Sequence, residues 1–167
     1  MLGFGPLSSG PIGSTGVVGS SGIVVDGYLQ GATVSRVNGS GNTVTTTSAG
    51  YFSGLLGTGS IQASGGTDVA TGIAFNGQFT APQANYAIVS PITTMIDALV
   101  TTGQAADVAT AKSLITSALG LPTVDLLTMD PMTGSYQGGT ASSADTLAVF
   151  KAGVMISNLL KGSTGTQ

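Results

Sequence analysis

The stretch that most constrains the fold of this chain is residues 85–99, NYAIVSPITTMIDAL. Its first half is rich in β-branched and aromatic residues, which favour a strand. The dipeptide Ser90-Pro91 follows, and it combines a preferred helix N-cap with the residue that best tolerates the first helical position. The apolar residues that come next recur at helical spacing: Ile92, Met95, Ile96 and Leu99. We therefore expect a strand to end and a helix to begin at Ser90-Pro91, with both contributing to one core.

Before this switch, the sequence predicts short strands separated by turns. The runs rich in β-branched and aromatic residues are 23–29, 32–37, 43–47, 51–56, 60–64 and 86–89. Asn76-Gly77 lies between two alternating apolar runs and predicts a hairpin with a type I′ turn, because both residues tolerate a positive φ. Short strands at this spacing are typical of an antiparallel sandwich or a small barrel.

After the switch, the sequence predicts a bundle of about three helices. The first runs from residue 91 to about 102, and the second covers 105–118. The third begins at Ser142 or Ser143 and is apolar nearly all round, which predicts burial in the protein or in an assembly. The expected fold class is α+β, and the expected organisation is an arm over 1–22, a β-sandwich over 23–89, a helical part packed on it over 90–161 and a polar tail over 162–167.

The first 22 residues are rich in Gly, Ser and Pro, and from Gly10 to Gly22 every third residue is Gly. That period suits a collagen-like or polyglycine-type helix, in which only Gly fits beside the axis. The run is short and holds a single Pro, which favours an extended arm instead. Isolated apolar side chains are spaced along it, and we expect them to lie on a neighbouring surface as an assembly arm: Leu2, Phe4, Leu7, Ile12, Val17 and Val18.

Charged side chains are scarce, at 7% of the 167 residues, against roughly 25% in typical soluble domains. Four basic and seven acidic residues give a net charge of −3, with no basic cluster to neutralise phosphates or anionic lipids. No run approaches the ~20 apolar residues of a membrane span. A surface with so little charge suits packing between subunits, because little charge has to be desolvated. We expect self-association and neighbouring structural proteins as partners, without nucleic-acid binding or membrane insertion.

The sequence contains no Cys and no His, which excludes disulfides, thiolate catalysis and the usual zinc sites. Ser hydroxyls have no His to activate them. A Ser-Lys dyad with Lys112, Lys151 or Lys161 stays open, although no SxxK or GxSxG motif is present. Asp125 and Asp130 are close in sequence, and capping of short helical turns explains them more simply than acid–base catalysis. We expect no enzymatic activity.

Two carboxylates stand beside glycine turns, since Asp26 precedes Gly27 and Asp68 follows 65–67. They are candidate Ca²⁺ ligands if backbone carbonyls join them, and Asx turns are the alternative. The loop 38–42 has the composition of a calcium loop except that it lacks a carboxylate. No other cofactor is indicated. Glycan binding would use exposed aromatic side chains, for which the candidates are Tyr28, Tyr51, Tyr86 and Tyr136.

Five segments, in this order, resemble a module of large secreted bacterial proteins of the adhesin and repeats-in-toxin type. They are VVDGYLQGATV (24–34), TTTSAGYFSGLL (45–56), GGTDVATGIAFNGQFTAP (65–82), IVSPITTMIDALV (88–100) and ALGLPTVDLLTMDP (118–131). The resemblance covers about residues 23–131 and implies a β-sandwich of the carboxypeptidase-regulatory or immunoglobulin-like type, followed by a helical cap. It also implies a structural or adhesive role, with a loop suggestive of calcium at the position of 38–42.

The opening MLGFGPLSSGPIGS is similar in composition to the arms of small tailed-phage structural proteins. It lacks the basic region and apolar core of a Sec signal peptide. We expect a non-catalytic structural protein of a virion or another extracellular or cell-surface assembly, in the first place a phage capsid-decoration or tail- or fibre-associated protein. The alternative is an adhesive module of a secreted bacterial surface protein, with a host glycan or protein as its partner.

Overall fold

The structure is a computed structural model that describes residues 19–164, and of residues 162–164 it describes the backbone alone. The fold is mixed α+β, with several sheets and three helices, the last at the C-terminal end. The strands are β1 (Ser20–Val24), β2 (Leu29–Gln30), β3 (Thr33–Arg36), β4 (Val44–Thr45), β5 (Tyr51–Leu55), β6 (Ile61–Ser64), β7 (Thr67–Asp68), β8 (Gln78–Ala81), β9 (Tyr86–Val89), β10 (Ser135–Tyr136) and β11 (Gly139–Thr140). The helices are α1 (Pro91–Thr101), α2 (Val108–Leu119) and α3 (Ser143–Thr164).

Two larger sheets share one apolar core. One has the strand order β4-β3-β6-β8 with antiparallel neighbours, and the other has the order β5-β1-β9. Their facing side chains form most of the buried cluster, and Leu29 of β2 and Phe75 join it. The larger members from the two sheets are Val24, Val34, Phe52, Leu55, Ile61, Phe79 and Val89. The expectation of antiparallel strands fails at β1 and β9, which pair in parallel. The long connection between these strands permits a parallel pair, which a short hairpin could not.

The first strand begins at Ser20, three residues earlier than the predicted β part. The predicted arm reached residue 22 because the stretch is rich in glycine, but Gly22 has a place in the sheet. A Cβ atom on Gly22 would lie 1.8 Å from the carbonyl oxygen of Ala87. Only glycine can occupy this place in the centre of the sheet, so a glycine-rich stretch hides a strand. The boundary of the predicted arm therefore moves from residue 22 to residue 19.

The predicted hairpin at Asn76-Gly77 is absent. β8 pairs with β6, where Gln78 faces Ser64, and residues 73–75 form no strand. Neither turn residue adopts the positive φ that a type I′ turn requires. The ring of Phe75 instead packs on that of Phe79, with 4.6 Å between the centroids.

The helical part begins where the sequence predicts it. Ser90 caps α1 by accepting a hydrogen bond from the Thr93 amide, and the Thr93 hydroxyl accepts one from the Ser90 amide. This reciprocal pair is a capping box in which Thr replaces the usual Glu or Gln. α1 packs against β8, α2 and α3, so it joins the two parts of the chain.

The other two helices differ from the prediction at their ends. Asp107 is the N-cap of α2, accepting from the Thr110 amide at 2.7 Å, so α2 begins three residues later than expected. Ser142 accepts a hydrogen bond from the Asp145 amide in front of α3. α3 extends to Thr164, into the predicted polar tail.

The six apolar residues of the predicted assembly arm lie outside the described residues. They are Leu2, Phe4, Leu7, Ile12, Val17 and Val18. Within residues 19–164, none of the helices has both the length and the apolar character needed to cross a bilayer.

Candidate functional site

The most prominent surface feature of the described chain is a groove along one side of α3. Its apolar walls come from α3 and from two preceding loops, and we name these residues the α3 groove: Ile73, Pro131, Met132, Leu147, Phe150 and Val154. It consists of three adjoining clefts of about 520, 30 and 280 Å³. Pro131 and Phe150 line both the first and the second cleft, and Val154 lines both the second and the third. The three clefts therefore follow one another along α3 and share wall residues.

The groove exists because α3 is apolar on two sides. Val149, Ala152 and Ile156 are buried in the helical core. Leu147, Phe150 and Val154 follow at spacings of three and four residues, so they share a second side that stays exposed. A helix that is apolar on nearly all sides is typical of burial in a larger protein or assembly. The prediction of a buried α3 thus holds for one side of the helix in the isolated chain.

Charged residues line two of the three clefts, since Asp26 lines the middle cleft and Asp26, Asp68 and Lys161 line the cleft of about 280 Å³. Asp26 Oδ2 accepts hydrogen bonds from the Ser157 hydroxyl at 2.9 Å and from Lys161 Nζ at 3.3 Å. The cleft at the other end, beside Leu147 and Met132, is lined by uncharged residues throughout. The largest cleft can therefore be covered by apolar groups without desolvating a charge.

The structure brings the two predicted Ca²⁺ ligands to the same cleft, which Asp26 and Asp68 both line. The Asp68 carboxylate lies against the backbone of Gly27, 2.7 Å from where a Cβ on that residue would stand, and it accepts the Ala70 amide in an Asx turn. Asp26 has Lys161 as its cationic partner. Among residues 19–164, no three carboxylates come close enough to share a metal ion.

The loop 38–42 is held by hydrogen bonds between its own polar groups and the loop after β5. Asn42 accepts from the Leu56 amide and donates to the Gly54 carbonyl. The Ser40 hydroxyl donates to the carbonyl of Thr58 and accepts from its amide. Neutral side chains thus bridge two loops at the position where the resemblance implies calcium.

Asp125 and Asp130 serve different neighbours. Asp125 accepts from the Leu127 amide in an Asx turn and forms an ion pair with Lys112 at 3.3 Å. Asp130 accepts from the Met132 amide through Oδ1 and from the Tyr28 hydroxyl through Oδ2. Both carboxylates therefore organise the segment between α2 and β10.

The three lysines that the sequence offered for a Ser-Lys dyad lie at different places in the described chain. Lys161 and Ser157 lie one helical turn apart, and both bind Asp26. Lys112 binds Asp125, and Lys151 lies on the exposed side of α3.

Three of the predicted tyrosines come together on the outer face of the β5-β1-β9 sheet. Tyr51 pairs with Ile23, and Tyr86 pairs with Ser21, so both point away from the shared core. Burial and the Asp130 carboxylate raise the pKa of Tyr86, and Tyr51 contributes further. Burial and the hydrogen bond to Asp130 raise the pKa of Tyr28. The fourth tyrosine, on β10, packs on the helical core.

One buried residue was not singled out from the sequence. Arg36 is almost fully buried, and burial lowers the pKa of its guanidinium. It donates to the carbonyls of Leu55, Leu56 and Gly59 and to the Ser20 hydroxyl. The available signal was the alternation in β3, which places Arg36 on the same face as the buried Val34. The arrangement holds the loop after β5 against the start of β1.

The chain matches no family model, and no curated protein or solved structure is significantly similar to it.

Proposed function

We propose that this chain is a non-catalytic structural protein that self-associates in an extracellular assembly, in the first place as a phage virion component such as a capsid-decoration or tail- or fibre-associated protein. The observation that carries the proposal is the exposed α3 groove. Soluble monomers rarely expose contiguous apolar surface of this kind, and where it occurs it marks an interaction site. The scarcity of charge across the whole sequence supports the same function.

The proposed body of the protein is a sandwich of the carboxypeptidase-regulatory or immunoglobulin-like type with a helical cap, as the resemblance to bacterial adhesin modules implies. Two sheets with a shared core support this reading. The virion assignment is supported by the composition of residues 1–18, which resembles the arms of tailed-phage structural proteins.

Sedimentation velocity of the full chain over a wide concentration range tests self-association. We expect a concentration-dependent oligomer and, by electron microscopy, regular particles or rings. Leu147 and Leu114 offer a matched pair of variants, because they are 49% and 46% exposed on α3 and α2, respectively, and only Leu147 lines the groove. Burial of a Leu side chain contributes about 1.5–3 kcal/mol, so Leu147→Gln should weaken association by about tenfold to a hundredfold, whereas Leu114→Gln should leave it unchanged. A monomer at every concentration would contradict the proposal.

A second candidate function is an adhesive module that binds a host glycan or surface protein. The observation in its favour is the group of Tyr28, Tyr51 and Tyr86 beside the Asp130 carboxylate, because sugars stack on aromatic rings and donate hydroxyls to carboxylates. A glycan array probed with the wild type and Tyr51→Ala tests it, with Leu56→Ala as a control at an exposed apolar residue just after the same strand. Binding that Tyr51→Ala alone abolishes supports adhesion, and an array without hits contradicts it.

A further inference from the structure

We infer that the α3 groove is the receptor for residues 2–7 of a neighbouring copy of this chain, so that each subunit inserts its N-terminal segment beside the last helix of the next. The inference rests on the proposed self-association and specifies the two surfaces that meet. Its grounds are the shape and charge of the groove, the sequence of the segment and the place where that segment joins the fold.

The groove and the segment match in length. From Leu147 to Lys161 the helix rises about 21 Å, at 1.5 Å per residue. An extended chain advances about 3.3 Å per residue, so Leu2 and Leu7 are about 17 Å apart when extended. Pro6 disfavours a helix in this segment. The apolar side chains Leu2, Phe4 and Leu7 can thus be distributed along the whole groove.

The two surfaces also match in polarity. Residues 1–18 contain no charged side chain, and the uncharged cleft beside Leu147 and Met132 is the larger end of the groove. The small middle cleft of about 30 Å³ is lined mainly by apolar residues, among them Val149, Phe150 and Val154, and has room for only a small part of a side chain. An uncharged segment with spaced apolar residues therefore fits this groove better than a charged peptide or a nucleic acid.

β1 separates the start of the described chain from the groove, and the proposed self-association assigns the docked segment to a neighbouring copy. β1 runs from Ser20 towards Asp26, and Asp26 lies at the groove. Ser20 lies at the opposite end of the strand, where it binds Arg36 and the Ala84 carbonyl. The segment before Ser20 thus joins the fold about 20 Å from Asp26, at about 3.3 Å per residue.

Disulfide trapping between full-length chains tests the inference, because the sequence contains no Cys. One chain carries Ser8→Cys, next to Leu7. The other carries Thr133→Cys or Asn158→Cys, at the two ends of the groove. Ser113→Cys on the exposed side of α2 is the matched control. A docked segment has a millimolar effective concentration, whereas the mixed chains are at ~10 µM, so we expect about a hundredfold more mixed disulfide with a groove cysteine than with the control.

A Ser8→Cys/Asn158→Cys double variant identifies which copy supplies the segment. Docking between copies gives disulfide-linked multimers, which excess wild-type chain suppresses. A cross-link within one chain that resists this dilution would overturn the inference, and so would equal yields for groove and control cysteines. Phe4→Ser should abolish the cross-link and Thr15→Ser should not. A cross-link that persists in Phe4→Ser also overturns the inference.

If the full chain sediments as an oligomer while the groove cysteines stay unlinked, segment docking fails and the proposed function stands. A chain that is monomeric at every concentration contradicts both the segment docking and the proposed function.

Discussion

The hydroxyl of Tyr28 donates a hydrogen bond of 2.7 Å to Oδ2 of Asp130, and this contact ties the β part of the chain to the segment between α2 and β10. Burial, the hydrogen bond to Asp130 and the charge of that carboxylate raise the pKa of Tyr28 above its usual value of 10.0. The neutral hydroxyl is therefore favoured in the folded chain more than in the unfolded chain.

This relationship predicts a loss of stability at high pH. Above about pH 10 the unfolded chain releases the Tyr28 proton while the folded chain retains it, so the free energy of unfolding falls as pH rises. Below pH 10 the contribution of Tyr28 is fully present. Urea denaturation at pH 8, 10 and 11 should show a steeper decline for the wild type than for Tyr28→Phe, which has no proton to lose. Parallel curves for the two proteins would show that Tyr28 is not the group responsible.

Gly22 predicts a large effect from a single methyl group. A Cβ at this position would overlap the Ala87 carbonyl, so Gly22→Ala should force β1 and β9 apart and cost about 3 kcal/mol of the free energy of unfolding. Gly153 lies in α3 with open space around it. Gly153→Ala should therefore stabilise the chain by about 0.5–1 kcal/mol, because Ala restricts the unfolded state. Chemical denaturation measures both, and a Gly22→Ala variant as stable as the wild type would refute the close packing of the two strands.

The contribution of Arg36 to stability can be measured by substitution, because its guanidinium is buried and donates to neutral acceptors. Arg36→Met removes the donor of two buried hydrogen bonds, to the Leu55 carbonyl and the Ser20 hydroxyl. An unsatisfied buried group costs roughly 1–3 kcal/mol, and we expect a total loss of about 3 kcal/mol. Arg36→Lys should recover only part of this, since one ammonium cannot reproduce the planar fork of the guanidinium. Lys151→Met, on the exposed side of α3, is the control and should change the unfolding free energy by less than about 0.5 kcal/mol. Equal effects of Arg36→Met and Lys151→Met would rule out the structural role assigned to Arg36.

Asp26 forms a partly buried hydrogen bond with Ser157 and an exposed ion pair with Lys161, and the contributions of these two contacts to stability can be measured separately. Ser157 is 2% exposed, so Asp26→Ala leaves its hydroxyl without an acceptor and should cost about 1–3 kcal/mol. The Lys161 side chain is 57% exposed, so Lys161→Ala should cost at most about 0.5–1 kcal/mol, and less in high salt. Thermal melts of both variants at low and high ionic strength provide the comparison. A larger loss for Lys161→Ala than for Asp26→Ala would reverse this assignment.

The sequence predicted those features correctly that depend on contacts between residues close together in the chain. Ser90-Pro91 begins α1 as predicted, because a cap and its amide partner are only three residues apart. The prediction of a hairpin at Asn76-Gly77 was wrong. β8 pairs with β6, and a turn signal beside β8 does not reveal a partner that is distant in sequence. Gly22 shows the same limit, since the reason for a glycine there is the distant carbonyl of Ala87.

The candidate site was predictable in part. The apolar character of α3 on nearly all sides indicated a surface for assembly, and Leu147, Phe150 and Val154 carry that signal. Ile73 and Met132 complete the groove from loops far from α3 in sequence, and single apolar residues in loops carry no periodic pattern. The charged end was likewise hidden, because Asp26 and Lys161 are 135 residues apart in sequence.

The central place of β1 in its sheet also affects how the chain folds during synthesis. β1 leaves the ribosome long before β9, with which it must pair in parallel. Until Tyr86–Val89 has emerged, one edge of β1 has no partner, and the shared core cannot close over Val24. Pairing at such separation slows folding and leaves a strand edge open to other nascent copies. The late emergence of β9 thus leaves a period during synthesis in which β1 of one nascent chain can pair with a strand of another.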